Sequence, residues 1–286
     1  MRGNQEQISS VLLSQLAMFH WKLTVAYDGT PYHGWQVQPG LPTVQGVLAE
    51  VISRLTGETV LPQGSGRTDT GVHAMGQVVS FDLETAIPGP NLQRAINHLL
   101  PSSIRVRTIE SVPPEFHARH SARRKTYEYR ICTDPLCLPM LAPFVWNCTW
   151  PLLLEPMQEA AALVTGTHDF TSFAATDPDL ADRRRDDRDG SANSETTGPR
   201  SKMRRIDTST WERRSESGSD LLVYRVTGSG FLHHMVRNLV GTFVDVGRGR
   251  TMSDDIPRII AARSRSASGS TAPPQGLFLM HVEYDD

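Results

Sequence analysis

Residues 64–83 read GSGRTDTGVHAMGQVVSFDL. The first eight positions hold Gly64, Gly66 and Gly71 and form a turn. Beyond it Val79, Phe81 and Leu83 recur at every second position, which is the pattern of a strand with one buried face. A single carboxylate, Asp69, stands at the centre of that glycine-rich turn, two residues after Arg67 and between Thr68 and Thr70. Glycine-rich loops usually turn backbone N–H groups towards an anion, and an aspartate in that position repels one. The segment also lacks the terminal Lys-Ser/Thr pair of a phosphate loop. Two readings of Asp69 remain. Either it is an Asx-turn residue bonded to its own backbone, or it is an ionised, presented carboxylate fit to act as nucleophile or general base. An unperturbed aspartate ionises near pH ~3.9, and a neighbouring arginine favours the charged form further.

Working outward, HWKLTVAYDG (20–29) predicts a strand with Trp21, Leu23, Val25 and Tyr27 on one face. The turn-rich GTPYHGWQVQPGLP follows. TVQGVLAEVISRLTG then predicts a helix, with apolar residues at 44, 47, 48, 51, 52 and 55, Thr43 as N-cap and Gly57 as stop. After the 64–83 stretch come a helix over 91–100, ended by Pro101, and a strand over 104–109. The second half predicts a strand over 121–132, a helix over 152–166 and two neighbouring strands, IDTSTWE and LLVYRVTG. A long amphipathic helix over 231–247, a short helix over 254–263 and a last strand over 276–284 complete it. The expected fold class is therefore α+β, with two layered domains of similar plan and sheet segregated from helices. The divisions are a 1–19 extension, a 20–115 domain carrying the Asp69 loop and a 116–286 domain. The charged stretch 175–202 reads as a mobile insertion, because it holds too little apolar surface to offset ordering entropy.

Composition bounds the function. The chain of 286 residues is 38% hydrophobic, with a net charge of -2. Charge thus gives no global sign of a polyanion partner, and any such partner needs a local cluster among the 29 lysines and arginines. Three cysteines, Cys132, Cys137 and Cys148, with no CxxC pair, argue against a disulfide framework and a zinc site and fit a reducing cytoplasm. The apolar run at 11–19 is too short to span a bilayer; residues 1–19 read as a frayed or helical extension, with Met18 a possible start.

Two further stretches carry chemistry. In RHSARRKTYEYR (119–130), strand alternation places Arg119, Arg123, Lys125, Tyr127 and Tyr129 on one face. That combination is either a nucleic-acid surface, with bases stacked on rings and cations on phosphates, or a tyrosine ladder with solvated charges. In GSGFLHHMVRNLVG (228–241), helical rotation places Phe231, Leu232, Met235, Val236, Leu239 and Val240 on one side. His233, His234 and Arg237 fall on the other, the two histidines diverging by about 100°.

Taken in order, AYDGTPYHGWQVQP with TVQG, GSGRTDTGVHAMGQV, FHARHSARRKTYEYRI, GTHDFTSF, GSGFLHHMVRNLVGTFVDVG and PPQGLFLMHVEY resemble the tRNA pseudouridine synthase A family over residues 20–286. The resemblance implies isomerisation of uridine to pseudouridine in the tRNA anticodon stem-loop, at positions 38, 39 and 40. It implies Asp69 as nucleophile, Arg67 holding the flipped-out nucleotide, Tyr127 on the target base and Arg237 paired with Asp69. Arg119, Arg123 and Lys125 become candidate tRNA contacts. The family fold is a pair of α+β domains joined through one antiparallel sheet, with a basic cleft, in a cytoplasmic homodimer whose tRNA touches both subunits. No cofactor, metal or membrane is implied. Thr70 departs from the alanine common after the aspartate. Two competing functions are a catalytically inert, RRM-like RNA-binding protein using Tyr127 and Tyr129 as stacking rings, and an N-glycosidase releasing the base to water.

Overall fold

The computed structural model describes residues 18–175 and 201–285. Most of the expected N-terminal extension and of the charged insertion lies outside the described residues. The chain separates into two compact units, one running to Ala122 and taking in Tyr284, the other Arg123–Glu283. Both are mixed α/β with mostly antiparallel strands.

In the first unit the strand order is β4-β1-β3, with β1 Phe19–Tyr27, β3 His73–Leu83 and β4 Ile104–Ser111, and a two-residue β2, Gln63–Gly64, on β3. β1 buries Trp21, Leu23, Val25 and Tyr27, as its alternation requires. β3 is buried on both faces across 76–81, so its alternation reports only one of two covered sides. Helix α1, Val44–Thr56, starts where Thr43 Oγ1 accepts the Gly46 N–H and stops where Gly57 turns left-handed at φ 77°. Its buried Val44, Leu48, Val51 and Ile52 each contribute about 1.5–3 kcal/mol of hydrophobic stabilisation. Helix α2, Gly89–Leu99, ends before Pro101 and blunts the β4 edge: the Asn97 amide accepts from the Val106 N–H and donates to its carbonyl, both at 2.8 Å. The turn at 116–121 stays with this unit. The Ala118 N–H donates to Ser80 Oγ at 3.1 Å and Tyr284 Oη to the Ala118 carbonyl at 2.6 Å.

In the second unit the order is β10-β5-β9-β8-β7, with a short β6, Trp146–Asn147, parallel to β5. The ranges are β5 Arg124–Cys132, β7 Gly166–Asp169, β8 Met203–Glu216, β9 Ser219–Gly228 and β10 Leu277–Glu283. β8 and β9 are the expected neighbouring strands, each longer than their apolar centres implied because hairpin pairing carries the ladder into polar residues at the turn. Helix α3 is Leu154–Ala162, shorter than the expected 152–166, and Gly166, at φ 101°, opens β7 instead. Helix α4, Met235–Gly247, packs Phe243 against Tyr224 and Trp211, with ring centroids 5.3 and 6.4 Å apart. Helix α5, Ile256–Ala262, follows.

Two expectations are corrected. The strand of the basic-aromatic stretch begins at Arg124, not 121, so Arg119 and Arg123 do not share a strand face with Tyr127. Arg119 belongs to a turn instead. The His117 carbonyl accepts the Ser121 N–H at 3.0 Å, and His117 Nδ1 accepts the Arg119 N–H at 3.0 Å. Arg123 is exposed ahead of the strand, its N–H on the Glu283 carbonyl at 2.8 Å. Lys125 alone of the three keeps the alternation with Tyr127 and Tyr129. Second, Phe231–His234 are not helical. His234 takes a left-handed conformation at φ 58° and α4 starts after it. The two imidazoles do not diverge; their centroids lie 3.9 Å apart with planes at 34°.

Candidate active site

In the first unit the short β2 leads into the Asp69 loop and β3 leads out. Gln77, wholly buried on β3, clips the entrance: its Oε1 accepts from Ser65 Oγ and its Nε2 donates to the Gly66 carbonyl, both at 2.7 Å. At the crest the Asp69 carbonyl accepts the Val72 N–H at 3.1 Å, closing a turn that Gly71 completes at φ 76°. Asp69 and Arg67 are half-buried, Thr68 is buried and Thr70 exposed.

The opposite wall is the stretch 27–35, which the sequence presents as the end of a strand running into a turn-rich segment. The Trp35 N–H donates to the Thr68 carbonyl at 3.0 Å, and Tyr27 Oη bonds Thr68 Oγ1 at 2.8 Å. Burial pushes the Tyr27 phenol well above its usual range, so the hydroxyl stays protonated within that bond. Gly34, at φ 85°, has the Thr68 carbonyl oxygen 2.6 Å from where a Cβ would stand, and a Cβ on Gly29 would overlap the Val72 carbonyl. The indole of Trp35 lies against Gly64 with no room for a Cβ there either. Behind the loop, buried His73 accepts the Gly29 N–H on Nδ1 at 3.0 Å, with an Asp28 carboxylate oxygen 3.2 Å away. Both flanks of Asp69 are thus held by backbone and by buried polar groups, which is how a carboxylate on a loop acquires a fixed direction.

This clamp makes Gly34→Ala informative. It places a side chain at positive φ and against a carbonyl, at a cost of roughly 1–3 kcal/mol. Relief requires the loop to move, and misplacement of a reacting group by about 1 Å costs roughly 10²-fold in rate. Thermal unfolding and single-turnover assays are expected to show a lowered Tm with a folded protein and a rate loss of that order. Retention of full turnover would mean that the loop need not be held.

In the second unit Tyr127 on β5 is 8% exposed and meets Phe231 edge-on, with centroids 5.1 Å apart. Tyr129 is fully buried; its hydroxyl donates to the Pro273 carbonyl at 2.7 Å. Burial drives its phenol well above the usual range, opposed by the charge of Arg237. Arg237, in the first turn of α4, is half-buried. Its Nε donates to the Ala272 carbonyl at 2.8 Å, and its own carbonyl accepts the Ala272 N–H at 3.1 Å. The guanidinium plane is therefore set by backbone. On the other face of the same sheet a buried carboxylate, Glu128, faces Arg130, Arg214 and Arg225 at 2.8, 3.3 and 3.1 Å. Burial would raise the Glu128 carboxyl, but Arg130 and Arg214 hold it below its usual range, so it stays ionised.

Asp69 and Arg67 were legible as a motif; what holds them was not. Gly29, Gly34 and Gln77 gave only weak signs, namely two glycines in a turn-rich stretch and a glutamine on an otherwise apolar strand, and Tyr27 was legible as a strand residue but not as a support of the loop. Ala272, the partner of Arg237, left no sign at all.

The chain matches the family model described as tRNA pseudouridine synthase over residues 23–121 and 160–285. It is 45% identical over 264 residues to tRNA pseudouridine synthase A of Solibacter usitatus (strain Ellin6076), covering 92% of this chain and 98% of that one. It is 40% identical over 265 residues to the protein of the same name from Moorella thermoacetica, covering 92% and 98%. To that of Limosilactobacillus fermentum it is 40% identical over 271 residues, covering 94% and 97%. Among the described residues no helix is long and apolar enough to cross a membrane.

Proposed function

The chain belongs to the tRNA pseudouridine synthase family, and from that premise we propose that it isomerises uridine in the tRNA anticodon stem-loop, at positions 38, 39 and 40, with Asp69 as nucleophile and no cofactor. Its activity is that of an isomerase acting on tRNA. The observation that carries the assignment to Asp69 is its setting: a half-buried aspartate on a turn clamped by Gln77 on one side and by Tyr27, Gly34 and Trp35 on the other.

The reaction breaks N1–C1′, rotates the uracil and joins C5 to C1′; the C5 proton leaves and N1 gains one. Redox equivalents and phosphate energy are not consumed. Access is the first requirement, and extruding the nucleotide costs a few kcal/mol. Arg67, two residues ahead of Asp69, occupies the space the base vacates. Asp69 then attacks C6 or C1′, or promotes loss of the C2′ proton. Arg237 pairs with it and keeps it charged and oriented, its own orientation held by Ala272. Tyr127 stacks on the detached uracil and assists removal of the C5 proton. That role falls to Tyr127 rather than Tyr129 because the Tyr129 hydroxyl is committed to Pro273 in the core. Lys125, Arg123 and Arg119 serve as tRNA contacts from separate local settings. The protein acts in the cytoplasm as a homodimer. Exposed Leu136, Leu138 and Met140, on the segment between β5 and β6, offer apolar surface of the kind a subunit interface covers.

The test is incubation with an unmodified tRNA transcript, followed by carbodiimide-blocked reverse transcription and mass spectrometry. Stops at the anticodon stem-loop with RNA mass unchanged are expected. A lowered mass signals base release by a glycosidase, and binding with neither change signals an inert RNA-binding protein. Activity is expected to persist in excess EDTA with the tRNA kept folded by monovalent salt. A loss that zinc or magnesium restores would overturn the cofactor-free mechanism.

A further inference from the structure

Two segments of the second unit play no direct part in this chemistry, GTHDFTSF (166–173) and SASGSTAPPQG (266–276). Both converge on one side chain of α4. Asn238 is fully buried; its Nδ2 donates to the Phe173 carbonyl at 2.7 Å. Its Oδ1 accepts from Thr271 Oγ1 at 2.7 Å and from Arg265 Nη2 at 3.1 Å. Arg265 also donates to Thr271 Oγ1 at 2.9 Å, Ser268 Oγ at 3.0 Å and the Gly269 carbonyl at 2.9 Å. Ser268 Oγ reaches the Ser172 carbonyl at 2.7 Å, and the Gly269 N–H reaches Thr242 Oγ1 on α4 at 2.9 Å. Gly241 lets the strap lie against the helix, since a Cβ there would overlap the Ser270 carbonyl. Residues 265–272 are thus strapped to α4, and the strap ends at Ala272, whose N–H and carbonyl both bond Arg237.

We propose that Asn238 is a positioning residue for isomerisation, acting through Arg237, with Arg265 and Thr271 as its supports. This rests on the reading of Arg237 as the partner of Asp69. An arginine on a helix carries several soft torsions, and a working site needs its groups held within about 0.5 Å and 10–20°. Committing Nε to a carbonyl removes that freedom only if the carbonyl is itself fixed. Asn238 fixes it, because a carboxamide donates along one edge and accepts two donors along the other. Aspartate has no N–H for Phe173, and an apolar residue leaves the Phe173 carbonyl without its donor and takes one acceptor from both Thr271 and Arg265.

A double-mutant cycle decides the matter. Asn238→Ala is expected to lower the single-turnover rate at saturating tRNA by about 10–100-fold, with the tRNA Kd changed by less than about threefold. In an Arg237→Ala background the same substitution is expected to cost less than about threefold. Were the full loss to persist there, Asn238 would act on something other than Arg237 and the proposal would fall, while the role of Arg237 stood. An Arg237→Ala single variant with unchanged rate removes the premise and the proposal with it. If Asn238→Ala does not fold, Thr271→Val is nearly isosteric and removes one donor to Asn238. It is expected to slow turnover about 3–10-fold, again only when Arg237 is present. An unchanged rate in either Asn238→Ala or Thr271→Val overturns the proposal.

Discussion

Asp69→Asn is expected to abolish isomerisation while leaving a folded protein that still binds tRNA. The substitution keeps shape and volume, the turn closes through the Asp69 backbone carbonyl, and its walls hold Gly66 and Thr68. What disappears is the anionic oxygen proposed to attack or deprotonate the nucleoside. Loss of a nucleophile costs on the order of 10⁴–10⁶ in rate, so tritium release from 5-tritiated uridine in tRNA should drop to background. The Kd is expected to stay within a few-fold, because phosphate contacts supply most of the affinity. An asparagine variant that releases tritium within tenfold of the parent would sink the assignment and return Asp69 to the role of a turn residue.

The second large effect belongs to Arg237. Arg237→Ala is expected to cost about 10²–10³ in single-turnover rate, the scale of a lost preorganised electrostatic partner. It also leaves the buried Ala272 carbonyl without its side-chain donor, a loss of about 1–3 kcal/mol of stability. Arg237→Lys separates charge from orientation. Lysine keeps the charge as a point, without a planar fork to place one nitrogen on Ala272 and present the others, so it should recover only part of the rate. Single-turnover kinetics with tRNA binding measured separately provide the check. A rate within threefold of the parent for Arg237→Ala, in protein of normal melting behaviour, would remove Arg237 from the mechanism.

The loop of Asp69 was legible because its chemistry is local. Three glycines around an Arg-Thr-Asp core mark a turn with a carboxylate at its centre, and the strand after it follows from the alternation of Val79, Phe81 and Leu83; whether that carboxylate is presented or merely caps the turn was carried by the family resemblance. β1 and α1 were legible for the same reason, their faces and caps being written within a dozen residues. The basic-aromatic stretch shows where local reasoning stopped. Period two does not reach back from Tyr127 to Arg119, because a turn that His117 closes with its side chain and carbonyl lies between them. No alternation survives such a turn. Helical rotation likewise does not extend through His233 and His234, because a left-handed residue at 234 breaks it.

The sequence by itself determined the strands and helices with strong periodicity, the glycine-rich turn around Asp69 and, through the order of its motifs, the family. Only the tertiary structure decided what keeps the site rigid. Gly29 and Gly34 are small because the backbone of Val72 and Thr68, far along the chain, passes against them, and Arg237 is oriented by a carbonyl 35 residues further along the chain. Such constraints are set by distances between segments far apart in sequence. A residue's own type and spacing carry no record of what will come to lie beside it.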